Sequence, residues 1–203
     1  KCTFCAIDSF NPEPVDADEP GKVAEAAARL GLKYVVVTSV NRDDLSDKGA
    51  GHFVETIEAL RERIPDGGIE VLTPDFKGRR QLVEQVLAAK PTVFNHNMET
   101  CERLTGPVRS GGRYDRSLSV LTLAKQLAVP GQTATKSGIM VGLGETDTEV
   151  ETVLRDLRAA DVDILTIGQY LPPTRGHWDL DRYVEPAQFE AWSEMAYELG
   201  FKA

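Results

Sequence analysis

The chain has 203 residues, of which 41% are hydrophobic and 27% are charged, as is ordinary for a globular protein with one sizeable core. Its 32 acidic and 23 basic residues give a net charge of −9, which argues against nucleic acid or an anionic membrane as the main partner. No apolar run reaches the roughly 18–20 residues of a membrane span, and the N-terminus is neither a signal peptide nor a transit peptide. We therefore expect a cytoplasmic protein, or an organellar one if the source is eukaryotic.

The chain contains three cysteines, Cys2, Cys5 and Cys101. A low and odd number of cysteines does not make a disulfide framework, which favours a reducing compartment. Two of the three lie within the first five residues, and the chain begins at Lys1 without a methionine. We therefore expect a piece of a longer protein that starts close to a functional segment.

Amphipathic stretches alternate with short β-branched runs along the chain. In chain order the pattern predicts a helix over 21–30, a strand over 33–40, a helix over 51–63, a strand over 69–72, a helix over 79–89, a strand over 92–95, a helix over 116–128, a strand over 137–141, a helix over 147–159, a strand over 163–167 and a helix over 186–199. Thr146, with Glu149 three residues later, is typical of a capping box at a helix start.

Strands that are joined by helical crossovers run parallel to one another, so the pattern predicts an α/β fold. The series begins with a helix, which suits a (β/α) barrel or partial barrel whose first strand lies upstream of Lys1. A doubly wound open sheet is the alternative. Nothing divides the chain, so we expect a single domain over residues 1–203.

Polar side chains occur at the end of each predicted strand, where parallel α/β proteins place their chemistry. The polar runs begin at Thr38, Thr73, Asn95, Gly142 and Gly168. Any one of them is compatible with a capped turn. Five in succession predict a shared rim that binds a polar ligand through several hydrogen bonds. Gly138 and Gly142 would allow the backbone to approach that ligand closely.

Cys2 and Cys5 form a C-x-x-C pair, which has three interpretations: half of a zinc site, a thioredoxin-like redox pair, or part of an iron–sulfur site. A structural zinc site would need a second pair. A thioredoxin-like pair should open a helix, and Pro12 and Pro14 follow too soon for one to begin there. An iron–sulfur site fits better if further ligands lie upstream.

The run KCTFCAID resembles the end of the C-x-x-x-C-x-x-C motif of radical S-adenosylmethionine enzymes, with the first cysteine of that motif three residues before Lys1. Within that superfamily the chain is similar to the lipoyl synthase family along nearly its whole length. The similarity is carried by the runs VVVTSVNRDDLSDKGAGHF, EVLTPDFKG, VFNHNMET, TKSGIMVGLGET and ILTIGQYLPPT.

This resemblance implies a partial (β/α)6 TIM-like barrel of the radical SAM type, with S-adenosylmethionine and two 4Fe-4S clusters in the full-length protein. It implies insertion of two sulfur atoms at C6 and C8 of an octanoyl group on a lysine of a lipoyl carrier domain. That carrier would be the glycine cleavage H protein or the E2 lipoyl domain of a 2-oxoacid dehydrogenase. An electron donor such as ferredoxin or flavodoxin would be required. The family's ligands for the second cluster are not in this chain, so we expect residues 1–203 alone to be inactive.

The resemblance also implies roles for residues near the cysteines and after the last strand. Cys2 and Cys5 would be two thiolate ligands of the cluster that binds S-adenosylmethionine. Phe4 would pack between the cluster and the adenine, although a core aromatic is an equally good interpretation. Gln169 and Leu171 would border the adenine or the octanoyl chain.

Further contacts to the cofactor are implied for polar residues at the strand ends. The methionine amino group would be held by Thr38, Ser39 and Asp43. The ribose hydroxyls need both donors and acceptors, which would come from Asn95, Asn97 and Glu99. Lys136 would pair with the methionine carboxylate, or is a plain surface lysine.

Several other residues are interpreted as structural. His96 should face away from Asn95 and Asn97, and His52, His177 and Cys101 carry no neighbours typical of a site. The arginines at 79–80 and in segment 109–116 could receive an acidic carrier domain, although a solvated surface is the better interpretation. Two functional alternatives stay open: another sulfur-inserting radical S-adenosylmethionine enzyme, and a non-catalytic α/β binding module with an incidental cysteine pair.

Overall fold

The structure, a computed structural model, describes residues 2–7 and 12–203. The described strands are β1 Tyr34–Thr38, β2 Gly68–Leu72, β3 Val93–Asn95, β4 Ala134–Val141 and β5 Ile164–Gln169. The helices are α1 Glu19–Arg29, α2 Ala50–Arg63, α3 Arg80–Ala88, α4 Glu102–Val108, α5 Tyr114–Leu127, α6 Asp147–Ala159 and α7 Pro186–Leu199. A short 3-10 turn covers Phe76–Gly78. Lys1 and Asp8 of the cysteine motif lie outside the described ranges.

The five strands form one parallel sheet in the order β1-β2-β3-β4-β5. A strand order that follows the chain without reversal is the winding of a barrel, whereas a doubly wound sheet reverses its order at a switch point. The sheet curls into a half-barrel, so the predicted α/β partial barrel is confirmed and the doubly wound alternative is wrong. The strand that we expected before Lys1 is not tested by these residues.

The two faces of the sheet differ in chemistry because successive side chains of a strand point in opposite directions. One face is apolar and packs under the helices; its buried side chains include Ile69, Val71, Phe94, Ile139 and Val141. The other face is concave and carries polar side chains. The register places Thr38 beside Leu72, Leu72 beside Asn95, and Asn95 beside Lys136, so these residues form one row across the sheet.

The helix boundaries largely follow local signals. Thr146 caps α6, its hydroxyl accepts from the Glu149 amide, and the Glu149 carboxylate accepts in return, which confirms the predicted capping box. A left-handed Gly200 ends α7, as a glycine at that position commonly does. Of the helices that the structure describes, none is long and apolar enough to cross a membrane.

Two elements differ from the sequence prediction by more than two residues. Helix α4 was not predicted, because Gly106 and Pro107 within its seven residues are typical of a loop. Strand β4 begins at Ala134, three residues earlier than predicted. The difference arises because Thr135 and Lys136, near the start of the strand, are polar and do not continue the apolar run. Both polar side chains form hydrogen bonds with buried carboxylates. Thr135 contacts the buried Asp163 and Lys136 contacts the buried Glu70.

Candidate active site

The cysteine pair forms one tight turn. The Cys5 amide donates to the Cys2 carbonyl at 3.4 Å, and both thiols are free and partly buried. Thr3 ties this turn to the protein, since its amide donates to the Val108 carbonyl at 2.9 Å and its carbonyl accepts from the Trp178 amide at 2.9 Å. Within residues 2–7 and 12–203 no group of three or more metal-binding side chains comes together. Two thiols on one turn suit two of the thiolate positions of an iron–sulfur cluster.

Cys2 shares its surroundings with Glu99 and Arg109. Burial raises the pKa of the Cys2 thiol, the positive charge of Arg109 opposes this rise, and the charge of Glu99 adds to it. Burial also raises the pKa of Glu99, against the charge of Arg109 and a hydrogen bond from Asn97. Charges influence one another most strongly when they are close and shielded from water. These residues therefore form one site beyond the end of β3.

Glu99 is held at this site by its backbone. Its φ of 68° lies in the left-handed region, which is uncommon for a residue with a side chain. The Glu99 amide donates to the Gly138 carbonyl at 3.1 Å, and its carbonyl accepts from the Met140 amide at 2.8 Å. The segment after β3 is thus fastened alongside β4, which fixes where the Glu99 carboxylate stands relative to Cys2.

A buried carboxylate that the sequence prediction missed lies on the concave face. Glu70 is 3% exposed and accepts three hydrogen bonds, from Tyr34 Oη at 2.8 Å, Asn95 Nδ2 at 2.9 Å and Lys136 Nζ at 2.9 Å. Glu70 is therefore a counter-ion of Lys136 within the protein. The contact of Lys136 with the methionine carboxylate, which the resemblance implied, stays a prediction. A charged residue in the middle of an apolar strand was the one available signal.

Two amide oxygens at the site have no hydrogen-bond partner within the described part of the chain. They are Asn95 Oδ1 and Asn97 Oδ1, both shielded from solvent. Buried acceptors are nearly always satisfied, so an unpartnered pair indicates a place for a ligand or for water. A ligand that carries several hydroxyl donors, such as the ribose of S-adenosylmethionine, fits this pair.

Gly138 lies so close to Asn97 and Thr166 that a larger residue would not fit there. A Cβ at this position would lie 2.7 Å from Thr166 Oγ1 and 3.0 Å from Asn97 Oδ1. Gly142 is even more confined, with a φ of 94° and a hypothetical Cβ only 2.4 Å from Gln169 Nε2. Both glycines are therefore required by close packing within the protein, and the approach of their backbone to a ligand stays a prediction.

The residues after β1 lie at the same edge of the sheet. Thr38, Ser39 and Asp43 are exposed, and Thr38 belongs to the row that contains Asn95 and Lys136. The Asp43 carboxylate binds Lys77 Nζ at 2.6 Å, which joins the loop after β1 to the loop after β2. Their contact with a methionine amino group stays a prediction, and Asp43 would have to share its charge with Lys77.

Gln169 has a structural role that differs from the predicted ligand contact. Its Oε1 accepts from the Val184 amide at 2.9 Å. Its Nε2 donates to three carbonyls at 3.1–3.2 Å, those of Val141, Tyr170 and Arg182. These hydrogen bonds fasten the segment after β5, and the contact of Gln169 with the adenine or the octanoyl chain stays a prediction. Leu171 is 62% exposed, and its contact with a ligand stays a prediction.

Residues 170–184, which we call the strap, cover the cysteine turn. The Trp178 amide donates to the Thr3 carbonyl, and Trp178 Nε1 donates to the Leu143 carbonyl at 2.8 Å. Tyr170 Oη donates to the Trp178 carbonyl at 2.8 Å. A cavity of about 550 Å³ lies between Thr3, Leu143 and the strap. Phe4 packs against the apolar core on this side, in agreement with the core interpretation.

The glycine-rich turn after β4 is held by a buried carboxylate. Glu145 Oε1 accepts from the Gly142 amide at 2.7 Å and Oε2 accepts from the Leu143 amide at 2.9 Å. Arg182 of the strap lies 4.0 Å from the same carboxylate. Glu145 therefore holds the Gly-Leu-Gly-Glu turn in place next to Arg182 of the strap.

Among the residues that we interpreted as structural, His96 is confirmed. It is 2% exposed, with Nδ1 2.9 Å from the Thr73 carbonyl and Nε2 2.9 Å from Ser117 Oγ. Cys101 is buried in the core, where burial raises the pKa of its thiol. His177 lies nearer to the site than we expected, because it lines the cavity beside Thr3.

The arginine segments divide between surface and site. Arg80 pairs with Glu84 at 3.1 Å and Arg113 pairs with Asp115 at 2.5 Å, both on the exposed surface, which favours the solvated interpretation. Arg109 behaves differently. Its side chain is partly buried, and Nη1 donates to the Met98 carbonyl at 3.1 Å. The sequence prediction missed Arg109 as a site residue because it treated 109–116 as one surface segment.

Comparison with known proteins agrees with this geometry. A family model for the radical SAM superfamily matches residues 1–157. Among solved structures, the crystal structure of methylornithine synthase superposes with a TM-score of 0.77 at 16% identity, over 97% of this chain and 58% of that chain. At this identity the likeness shows the fold alone.

Curated relatives are much closer in sequence. A lipoyl synthase of Caldanaerobacter subterraneus subsp. tengcongensis is 52% identical over 201 residues, which cover 99% of this chain and 70% of that protein. A lipoyl synthase of Burkholderia mallei is 52% identical over 202 residues, which cover 99% of this chain and 61% of that protein. This chain, with its cysteine turn at the edge of a parallel half-barrel, belongs to the lipoyl synthase family of radical SAM enzymes.

Proposed function

We propose that the full-length protein inserts two sulfur atoms, at C6 and C8, into an octanoyl group that is attached to a lysine of a lipoyl carrier domain. The chain described above would form its single radical SAM barrel domain. The observation that carries the proposal is the cysteine turn tied beside Glu99 and the unpartnered Asn95 and Asn97 oxygens, in a chain 52% identical to a lipoyl synthase.

The donor set fits the cofactors that the family implies, a 4Fe-4S cluster and S-adenosylmethionine. When bound, these cofactors would supply a carbon radical that removes hydrogen as an atom. This step needs no general acid or base from the protein. Cys2 and Cys5 would hold the cluster on a turn whose position Thr3 fixes at both of its backbone groups. The task of the chain is therefore geometric: it positions reactants and keeps solvent away.

The polar residues of the concave face would orient the cofactor. Asn95 and Asn97 would offer acceptors to the ribose hydroxyls, and Glu70 would set the orientation of Asn95 by accepting a hydrogen bond from its Nδ2. A carboxylate can only accept hydrogen bonds, so the Asn95 oxygen must face the open side. The strap closes the outer side of the turn through Trp178, which would limit the access of water.

We propose the carrier domain and the electron donor on the strength of the family alone. The carrier would be the glycine cleavage H protein or an E2 lipoyl domain, and the donor a ferredoxin or flavodoxin. The exposed arginines Arg80 and Arg113 are bonded to neighbouring carboxylates, which gives no support for a docking site there.

The proposal is tested with the full-length protein, reconstituted with iron and sulfide under anaerobic conditions, reduced, and supplied with S-adenosylmethionine and an octanoylated carrier domain. Mass spectrometry of the carrier should show that two sulfur atoms have been added. A carrier that has not been octanoylated is the control. Addition of one sulfur, or cleavage of the cofactor without modification of the carrier, would contradict the proposal and favour another radical SAM activity.

A further inference from the structure

Arg109 is the residue directly after the end of α4. Its neighbour Val108 accepts hydrogen bonds from both the amide and the hydroxyl of Thr3, at 2.9 Å and 3.2 Å. Thr3 follows Cys2 in the chain, so the backbone beside Arg109 is bonded to the backbone beside a proposed cluster ligand. The hydrogen bonds between Thr3 and Val108 therefore fix the position of Arg109 relative to the cysteine turn.

The guanidinium of Arg109 is held in place from behind. Nη1 donates to the Met98 carbonyl at 3.1 Å and to Ser117 Oγ at 3.2 Å. Ser117 Oγ lies 2.9 Å from His96 Nε2, and His96 Nδ1 lies 2.9 Å from the Thr73 carbonyl. Because a carbonyl only accepts, His96 carries its proton on Nδ1 and Nε2 accepts from the Ser117 hydroxyl. This chain of hydrogen bonds orients the Ser117 lone pairs toward Arg109.

These contacts do not neutralise the positive charge of Arg109, and within the described residues no carboxylate oxygen lies within 4.0 Å of its guanidinium. Both acceptors are neutral, and a single nitrogen, Nη1, serves them both. The charge of Arg109 also acts on the buried His96, whose pKa falls to about 4, first through burial and then through Arg109. By contrast, the charge of Arg113 is matched by Asp115 at 2.5 Å on the exposed surface.

We propose that Arg109 is a positioning residue whose fixed positive charge raises the reduction potential of the iron–sulfur cluster held by Cys2 and Cys5. Reduction adds one electron to the cluster, and a nearby positive charge stabilises the more negative product. The inference rests on the proposed function, because it needs a cluster at this turn. The electron comes from the donor that the proposed function already requires.

The test uses the full-length reconstituted protein and follows the cluster whose EPR signal changes when S-adenosylmethionine is added. Its midpoint potential is measured in a redox titration for the parent protein and for four variants. Arg109→Met removes the charge and the hydrogen bonds, Arg109→Gln keeps a donor without the charge, and Arg109→Lys keeps the charge. Arg113→Met is the matched control on the exposed surface.

We expect a lower midpoint potential in Arg109→Met and Arg109→Gln, a value close to the parent in Arg109→Lys, and no change in Arg113→Met. An unchanged potential in either neutral variant with a full cluster overturns the inference. If neither neutral variant assembles a cluster, assembly in Arg109→Lys supports the requirement for charge, and failure there overturns it. A parent protein that shows no such EPR signal contradicts the proposed function instead.

Discussion

Glu70 organises the concave face of the sheet from within. Its carboxylate is 3% exposed and accepts a hydrogen bond from each of Tyr34, Asn95 and Lys136. The pKa of Tyr34 is raised, first by burial and then by the hydrogen bond to Glu70. A buried carboxylate is retained at little cost only when its partners are all present.

Glu70→Gln should therefore destabilise the full-length protein by about 3 kcal/mol, because it leaves the Lys136 charge without its partner. The change is measured as the free energy of unfolding in urea. Glu151→Gln is the control, since Glu151 forms an i,i+4 ion pair with Arg155 at 3.4 Å on the surface of α6. Equal losses in the two variants would contradict the role that we give Glu70.

His96 should make stability depend on pH. Burial and the charge of Arg109 lower its pKa from the ordinary 6.5 to about 4, so between these values the unfolded chain binds a proton that the folded chain does not. The contribution of neutral His96 to the free energy of unfolding is therefore fully present above pH 6.5 and is lost as the pH falls toward 4. We expect the unfolding free energy of the parent to fall by about 3 kcal/mol more than that of His96→Gln over this window. Parallel pH profiles for the two proteins would disprove this assignment.

At the scale of the elements, the periodic segments were predictable and the short ones were not. Helices α2, α6 and α7 have the predicted bounds within one residue, because their apolar faces repeat at helical spacing. Helix α4 has only seven residues and contains Pro107, so packing alone makes it a helix. The end of α4 determines where Arg109 lies, which is why the sequence did not separate Arg109 from the surface arginines.

The strap is the element that shields the cysteine turn. It is fixed by Gln169, whose amide is bonded entirely to backbone, and by Trp178, which bonds to Thr3 and Leu143. Trp178→Ala keeps the backbone hydrogen bond to Thr3 but removes the indole and its hydrogen bond to the Leu143 carbonyl. This loss should loosen the strap and speed the loss of iron from the reconstituted full-length protein to a chelator several-fold. Tyr183→Ala serves as the control, because Tyr183 lies on the same strap and is 71% exposed. The same rate of iron loss in both variants would show that the strap does not protect the turn.

At the scale of the whole molecule, the site is assembled from residues far apart in the chain. The rim itself could be predicted, because the ends of parallel strands lie at one edge of a sheet. The pairing of Glu70 with Lys136 could not, since it depends on the relative register of strands whose residues are separated by 66 positions. The role of Gln169 depends in the same way on where the strap folds back.

The central proposal is that S-adenosylmethionine is cleaved at the turn of Cys2 and Cys5. The most direct measurement is the formation of 5′-deoxyadenosine by the reduced, reconstituted full-length protein and by its Cys2→Ala, Cys5→Ala and Cys101→Ala variants. Cys101 is the internal control, because it is buried in the core and away from solvent. We expect cleavage in the parent and in Cys101→Ala and none in the other two variants. Undiminished cleavage in Cys2→Ala or Cys5→Ala would contradict the account.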